Sequence, residues 1–297
     1  VRRDVFEVVT SGVRATFQDT GRPGHAAIGV SPSGAADPGA ARLANRLTAT
    51  AAGAPVVEVM VGGLVLRARR PARIAVTGAP RPLHRNGRPV AMNTPVDVDQ
   101  GDEVRIGHGP RGVFTYLAVD GGFLTERVLG SASTDSLSGL GPPPLAVGDV
   151  LARDDLHDAS ATVDVAPVLA LPDVVELRVH PGPRGAWFAG GGLHALTATT
   201  WTATATSDRV GLRLAGPTAL VRDRAAELAS EGAVRGAVQV PPDGMPVVLG
   251  PDHPVTGGYP VVAVVDRRDL ALAAQCEPGR PVRFRPAPAR STARVPR

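Results

Sequence analysis

Short valine-rich runs, each cut off within a few residues by glycine or proline, recur along this whole chain, and that punctuation sets the fold class. The 297 residues include 35 Gly and 29 Pro. Proline breaks helix interiors, glycine opens turns, and valine fits the pleated, half-buried surface of a strand. A mainly β fold is expected, with many strands, tight turns and a few short helices. At 43% hydrophobic content, a chain of this length fills two ordinary cores.

The opening VFEVVTSGVRATFQD reads as a hairpin around Ser11 and Gly12, and VVEVMVGGLVLRAR as a second around Gly62 and Gly63. Between them, GAADPGAARLANRLTA predicts a helix. Asp37 caps it, Pro38 suits its first position, and Ala40, Leu43, Ala44 and Leu47 follow one face. Further strands are expected at RIAVTGA, PVDVDQGDEVRIG, GVFTYLAVDGGF, VELRVHPGP, GLRLAG, AVQVPPDGMPVVL and YPVVAVV, and short helices around RDRAAELAS and RRDLALAAQ. Weak periodicity from Ala152 to Pro172 marks a boundary between domains at 1–160 and 173–285, and 286–297 reads as a disordered tail.

All 32 residues counted as Lys+Arg are arginine. Without lysine the chain has no Schiff-base nucleophile, no P-loop lysine and no attachment point for covalently bound biotin. The formal net charge of +4 is spread along the chain apart from an Arg-rich end, which reads as a solvated face. With aromatics at 3%, no stacking platform for single strands is available. Neither nucleic acid nor membrane is an expected partner. The lone Cys276 cannot form an internal disulfide and no apolar run matches a membrane span or signal core, so a cytoplasmic location is expected. Seven histidines occur, none at metal-ligand spacing, and no metal site is expected. Dinucleotide-binding and nucleophile-elbow fingerprints are absent too. Cys276, set among Ala and Gln, reads as a small semi-buried hydrophobe.

Three glycine-bounded polar segments stand out. ATFQDTGRPG presents Gln18, Asp19 and Arg22 where a strand ends. SDRVGLRL places Ser207, Asp208 and Arg209 before an alternating strand, where an arginine fork suits carboxylate or phosphate. SEGAVRGAVQVPPDGMPVVLGPDHPVTGGYP combines Gln239, Asp252, Thr256 and Tyr259 with Gly257 and Gly258, which allow close backbone approach. Taken singly, the first two are also ordinary surface turns, with Asp19 capping its own turn and Arg22 ion-paired on the surface.

Taken in order, together with SPSGAADPGAARLANRLTA, FTYLAVDGGF and GSASTD, these segments resemble the carboxyltransferase/allophanate hydrolase subunit 2 family from about residue 7 to about residue 284. The resemblance implies two cyclophilin-like β-barrel domains in a hetero-oligomer with a subunit 1 (B-type) partner, the site lying where barrels of both meet. It also implies an ATP-dependent 5-oxoprolinase, active only in complex. ATP and Mg²⁺ serve phosphorylation of the amide oxygen of 5-oxoproline, and an A-type partner completes hydrolysis.

On that reading Arg209, Asp19 and Gln239 are catalytic, and Gln18, Arg22, Ser207, Asp208, Asp252, Thr256, Gly257, Gly258 and Tyr259 bind the small-molecule amide. Arg22 and Arg209 supply positive charge, Gln18 and Gln239 hydrogen-bond the amide, and Asp19 or Asp252 orients Mg²⁺ or accepts the lactam N–H. As a turn residue, Arg209 is expected to be removable without loss of folding. His253, Pro254 and Val255 depart from the more polar approach to TGGYP expected in the family. The same resemblance carries two alternatives. One is carboxyl transfer in urea or allophanate metabolism, for which this chain lacks the carrier lysine. The other is a non-enzymatic regulator of a sensor kinase.

Overall fold

The computed structural model describes residues 4–158, 165–168, 170–224 and 228–288. It is mainly β. In the N-terminal half the strands are β1 (Asp4–Ser11), β2 (Arg14–Gln18), β3 (Val56–Met60), β4 (Leu64–Ala68), β5 (Ala72–Gly78) and β6 (Leu83–Arg85). They continue as β7 (Arg88–Val90), β8 (Pro95–Val98), β9 (Glu103–Ile106), β10 (Phe114–Val119), β11 (Phe123–Leu124) and β12 (Val150–Arg153). Two sheets result, ordered β11-β12-β1-β4-β9-β6-β7 and β2-β3-β10-β5-β8. Their apolar faces enclose one core that includes Phe6, Phe17, Val57, Leu66, Ile74, Leu117 and Phe123.

Neither expected hairpin forms. β1 pairs with β4 and β12, whereas β2 pairs with β3, so the chain changes sheets at Gly12 and again at Gly62 and Gly63. The two corners lie back to back: a Cβ on Gly12 (φ +66°) would sit 2.4 Å from the Gly62 carbonyl oxygen. Only glycine permits that approach with positive φ. A glycine between two alternating runs signals a reversal equally well whether the partner strand is the next one or lies in the facing sheet.

The predicted helix is present as α1 (Pro38–Leu47), its Asp37 cap accepting the Ala40 N–H at 3.0 Å. α1 packs over the outer face of β3 and β10 through Ala41, Ala44, Val56, Phe114 and Tyr116. β10 is therefore buried on both faces, which explains why FTYLAV shows no alternation.

The C-terminal half begins with β13 (Val175–Pro181), β14 (Thr200–Ala203), β15 (Gly211–Ala215) and the short β16 (Glu231–Gly232). β17 (Ala237–Gln239), β18 (Val247–Leu249), β19 (Thr256–Gly257), β20 (Val261–Val265) and β21 (Pro281–Pro286) follow. Seven of them close a barrel in the order β13-β20-β17-β18-β15-β14-β21, with β21 parallel to β13, while β16 and β19 form a separate ribbon. Leu177, Trp187, Trp201, Leu214, Val238, Val262 and Phe284 fill it. Two helices attach, α2 (Gly192–Ala198), which sequence reading misses among its glycines, and α3 (Leu270–Ala274), which it expects. The helix expected around RDRAAELAS falls partly, and the tail almost wholly, outside the described residues.

The halves are stitched together. The Gln275 side chain accepts the N–H groups of Val113 and Phe114, both at 2.9 Å, and returns a bond to the Phe114 carbonyl at 3.0 Å. Between Arg153 and Val175, the described linker residues lie along the first half, where Ala166 N–H reaches the Asn93 carbonyl at 3.0 Å. Among the described residues no helix is long and apolar enough to cross a membrane.

Candidate functional site

Arg209 sits in the turn before β15, shaped by Asp208, whose carboxylate accepts the N–H groups of Val210 at 2.8 Å and Gly211 at 3.1 Å. Its side chain leaves the barrel and enters the N-terminal half, where only 3% of it is exposed. One end of the guanidinium forms an ion pair with Glu58 of β3. Nε and the other terminal nitrogen hold the Asp252 carboxylate at 2.7 and 2.8 Å, and that nitrogen also donates to the Gly34 carbonyl at 2.8 Å. Gln18 and Ser33 lie slightly farther from it, at 3.3 and 3.4 Å.

Each carboxylate is tied further. Glu58 accepts from the Ala36 N–H at 2.9 Å and the Tyr116 hydroxyl at 2.8 Å. Asp252 accepts from the Ser33 hydroxyl at 2.7 Å, the Ser136 N–H at 2.8 Å and the Ser136 hydroxyl at 2.7 Å. Ser33 holds a left-handed φ of +52°, a conformation a non-glycine residue keeps only under constraint. Burial alone would raise the Asp252 pKa, but Arg209 and the surrounding donors hold it below the ordinary carboxylate value. Burial opposes the Arg209 charge as well, and Glu58 with Asp252 outweighs it, raising the arginine further. Burial, then Glu58, pushes the Tyr116 phenol well above its usual range.

Arg209 is thus no solvated clamp. Its donors are committed to internal partners, and it locks the barrel to the first half. The lock also recruits Gln18, which donates to the Thr134 carbonyl at 2.9 Å. Glu58 and Tyr116 escaped the sequence reading. Their signal was present, because a lone carboxylate within VVEVMV, buried on both faces, demands a cationic partner.

A second knot lies within the N-terminal half. Asp19 accepts from the Ser131 and Ser133 hydroxyls, both at 2.6 Å, from the Gly21 N–H at 2.8 Å and from the Ala132 N–H at 2.8 Å. Arg127 approaches to 3.5 Å. Arg22 is buried, bonded to the Val128 carbonyl at 3.2 Å and to the Ser133 carbonyl. Asp19 and Arg22 therefore fasten the GRPG loop to the SAST loop, and Arg22, like Arg209, is not a surface cation.

The third segment divides. Asp252 belongs to the Arg209 lock, whereas Gln239 lies against Gly257, where a Cβ would stand 2.8 Å from its side-chain nitrogen. Beside them Thr256 and Gly258 are exposed, as is Tyr259. Among the described residues no hydrogen bond joins this patch to Arg209. His253 is buried next to Asp252, and burial lowers its pKa.

Between the halves lies a cavity of about 270 Å³. Met60, Phe114, Leu212 and Val248 supply apolar wall, and Ser207, Asp208, Arg209, Arg235 and Glu277 the polar part. Cys276 also lines it, but burial pushes its thiol up to about 12, which leaves no thiolate for nucleophilic attack. Among the described residues no group of three or more His, Cys, Asp or Glu side chains is placed to hold a metal ion. Asp19 and Asp252, the residues expected to orient Mg²⁺, have their oxygens occupied by protein donors and do not fit that task.

Two packed β halves joined through a buried ion lock, with a small cavity at the seam, define a two-part carboxyltransferase-type unit. The family model for the carboxyltransferase domain, subdomains A and B, matches residues 28–286, and the chain belongs to that family. It is 34% identical over 284 residues to the 5-oxoprolinase C subunit of Haemophilus influenzae, covering 95% of this chain and 90% of that protein. The crystal structure of TTHA0988 superposes with a TM-score of 0.85 at 36% identity, over 96% of this chain and 56% of that one. The urea carboxylase structure from Kluyveromyces lactis superposes with a TM-score of 0.85 at 28% identity, over 96% of this chain and 28% of that one. The chain thus spans about half, or less, of these larger solved relatives.

Proposed function

We propose that this protein is a component of an ATP-dependent 5-oxoprolinase, acting with a B-type partner to phosphorylate the amide oxygen of 5-oxoproline before an A-type partner completes hydrolysis. The observation that carries this reading is the match across 95% of the chain and 90% of the Haemophilus influenzae protein. The seam cavity supports it, since about 270 Å³ with apolar walls accommodates a five-membered lactam.

ATP, bound in the complex, supplies the phosphoryl group. On this chain the seam positions the lactam: Ser207 and Asp208 give the ring a polar edge, and Met60, Phe114 and Leu212 exclude water. Arg209 is a positioning residue, which keeps both walls of the cavity in register through Glu58 and Asp252. Thr256, Gly257, Gly258 and Tyr259 form the face offered to the partner's share of the site, with the buried Gln239 behind Gly257. No step is assigned to Mg²⁺ on this chain.

The test is reconstitution with B-type and A-type partners, reading glutamate and phosphate release from 5-oxoproline with each component omitted in turn. Release only from the complete mixture, insensitive to avidin, is expected. The likeness to urea carboxylase favours carboxyl transfer as the second reading. Turnover that requires urea and stops with avidin would establish that reading instead.

A further inference from the structure

Arg235 precedes β17 and reaches across the seam to the N-terminal half, donating to the Ala36 carbonyl at 2.5 Å and the Ala35 carbonyl at 3.4 Å. It lines the seam cavity and also a second, larger groove of about 840 Å³. One wall of that groove is the first turn of α1 and the other is the segment from the end of β20 to α3. Its ionisable lining is one-sided: Arg42, His180, Arg235, Arg267 and Arg268 against a single acid, Asp266.

That acid is already engaged. Asp266 holds the Arg268 guanidinium through bonds of 2.9 and 3.0 Å and lies 3.1 Å from His180. Among the described residues, no carboxylate lies within ion-pair distance of Arg42, Arg235 or Arg267. Three guanidiniums therefore share one groove with no carboxylate bonded to them, and Arg235 is half-buried there with only carbonyl oxygens as hydrogen-bond partners. The carboxylates that act on Arg235 at longer range, Glu58 and Asp252, are already held by Arg209, and burial still outweighs them and lowers the arginine. Withdrawing a cation from water without a bonded counter-charge is costly, and a bound anion relieves that cost.

The charge and the walls identify the anion. A single carboxylate would offset one of three cations, whereas a di- or triphosphate offsets two or three and presents oxygens that the arginine fork grips in pairs. The groove has no Phe, Tyr or Trp in its lining, so it offers no face for stacking a base. Its volume lies within the usual range of small-ligand sites. We propose that this groove is a polyphosphate-binding site in which Arg42, Arg235 and Arg267 hold a phosphate chain, either free or as the tail of a nucleotide.

Isothermal titration calorimetry on the purified chain tests this, because it needs neither partner nor turnover. Its failure would leave the amide-hydrolysis reading untouched. Saturable 1:1 binding of tripolyphosphate is expected, with Arg42→Gln and Arg267→Gln each weakening it about tenfold, as loss of a charge-assisted contact does. Both residues are exposed, so these variants keep the fold, whereas Arg235→Gln also loosens the seam. ATP is titrated in parallel. Affinity equal to that of tripolyphosphate assigns the phosphate chain alone, tighter ATP assigns a nucleotide source, and either result supports the groove. The exposed Arg88 on β7 gives the charge-matched control, and Arg88→Gln is expected to bind as the parent does. Absence of saturable binding, equal affinity for succinate, or an equal loss in Arg88→Gln would overturn the proposal.

Discussion

The Asp19 knot and the Arg209 lock are built from the same materials, an aspartate, an arginine, several serine hydroxyls and glycine turns, yet they do different work. The Asp19 knot fastens two loops of one half and gathers mostly neutral donors around one carboxylate. The Arg209 lock joins elements 151 residues apart and sets one guanidinium between two buried carboxylates. A polar turn is thus local reinforcement or long-range architecture according to whether its charge is answered within its own half.

Removing Arg209 should break that comparison most sharply. Arg209→Ala strands Glu58 and Asp252, and the loss of one partner from a buried pair costs about 3 to 5 kcal/mol. Urea denaturation should show the whole chain destabilised and the seam cavity's binding lost. Retained stability would return Arg209 to the role of a surface clamp.

Asp252→Asn preserves shape and removes charge, with an expected cost of about 2 to 3 kcal/mol, typical of charged hydrogen bonds. It also tests the sign of a pH effect. Because the Asp252 pKa is lowered in the fold, its contribution is complete above the ordinary carboxylate value near ~4 and is lost as pH falls through the lower folded value. Denaturation midpoints across pH should show a shallower acid decline for the variant than for the parent. Equal slopes would remove Asp252 from the lock.

Asp19→Ala should cost about 2 kcal/mol through unsatisfied hydroxyl and N–H donors. Here the two tryptophans sharpen the comparison, since Trp187 and Trp201 both lie in the barrel core. Far-ultraviolet circular dichroism should report a lowered midpoint while tryptophan fluorescence moves less, whereas Arg209→Ala shifts both. The smallest effect belongs to Asp208, which is exposed but accepts two N–H groups of the turn that carries Arg209: Asp208→Ala should cost about 0.5 to 1 kcal/mol, as loss of a capping side chain does. A loss by thermal melting as large as that of Arg209→Ala would make this cap, and not the ion pairs, the main support of the lock.

The sequence reveals what is local. Asp37 and Pro38 announce α1 because a cap and a fixed φ act within a few residues. The strands are legible from valine and glycine, but their partners are not. The corner at Gly12 and the corner at Gly62 and Gly63 carry the same signal as hairpin turns, and only the tertiary fold decides which sheet receives the next strand. The site follows the same rule. Gln18, Asp252 and Arg209 were each visible as polar residues in glycine-bounded segments, but the carboxylate that answers Arg209 is Glu58, distant in sequence and hidden inside an apolar strand. Gln239 and Tyr259, grouped with Asp252 by proximity along the chain, belong to another patch.

The parallel pairing of β13 with β21 bears on how the chain is made. The barrel's seam joins Val175–Val179 to Val282–Pro286, so a nascent chain cannot close this half until translation has passed Pro286. Until then β13 and β14 stand as open edges, able to recruit strands from other chains. A ribosome stalled a few codons before β21 would therefore hold a folded first half tethered to an unclosed second one. Such an intermediate is where chaperone binding or aggregation during synthesis should concentrate.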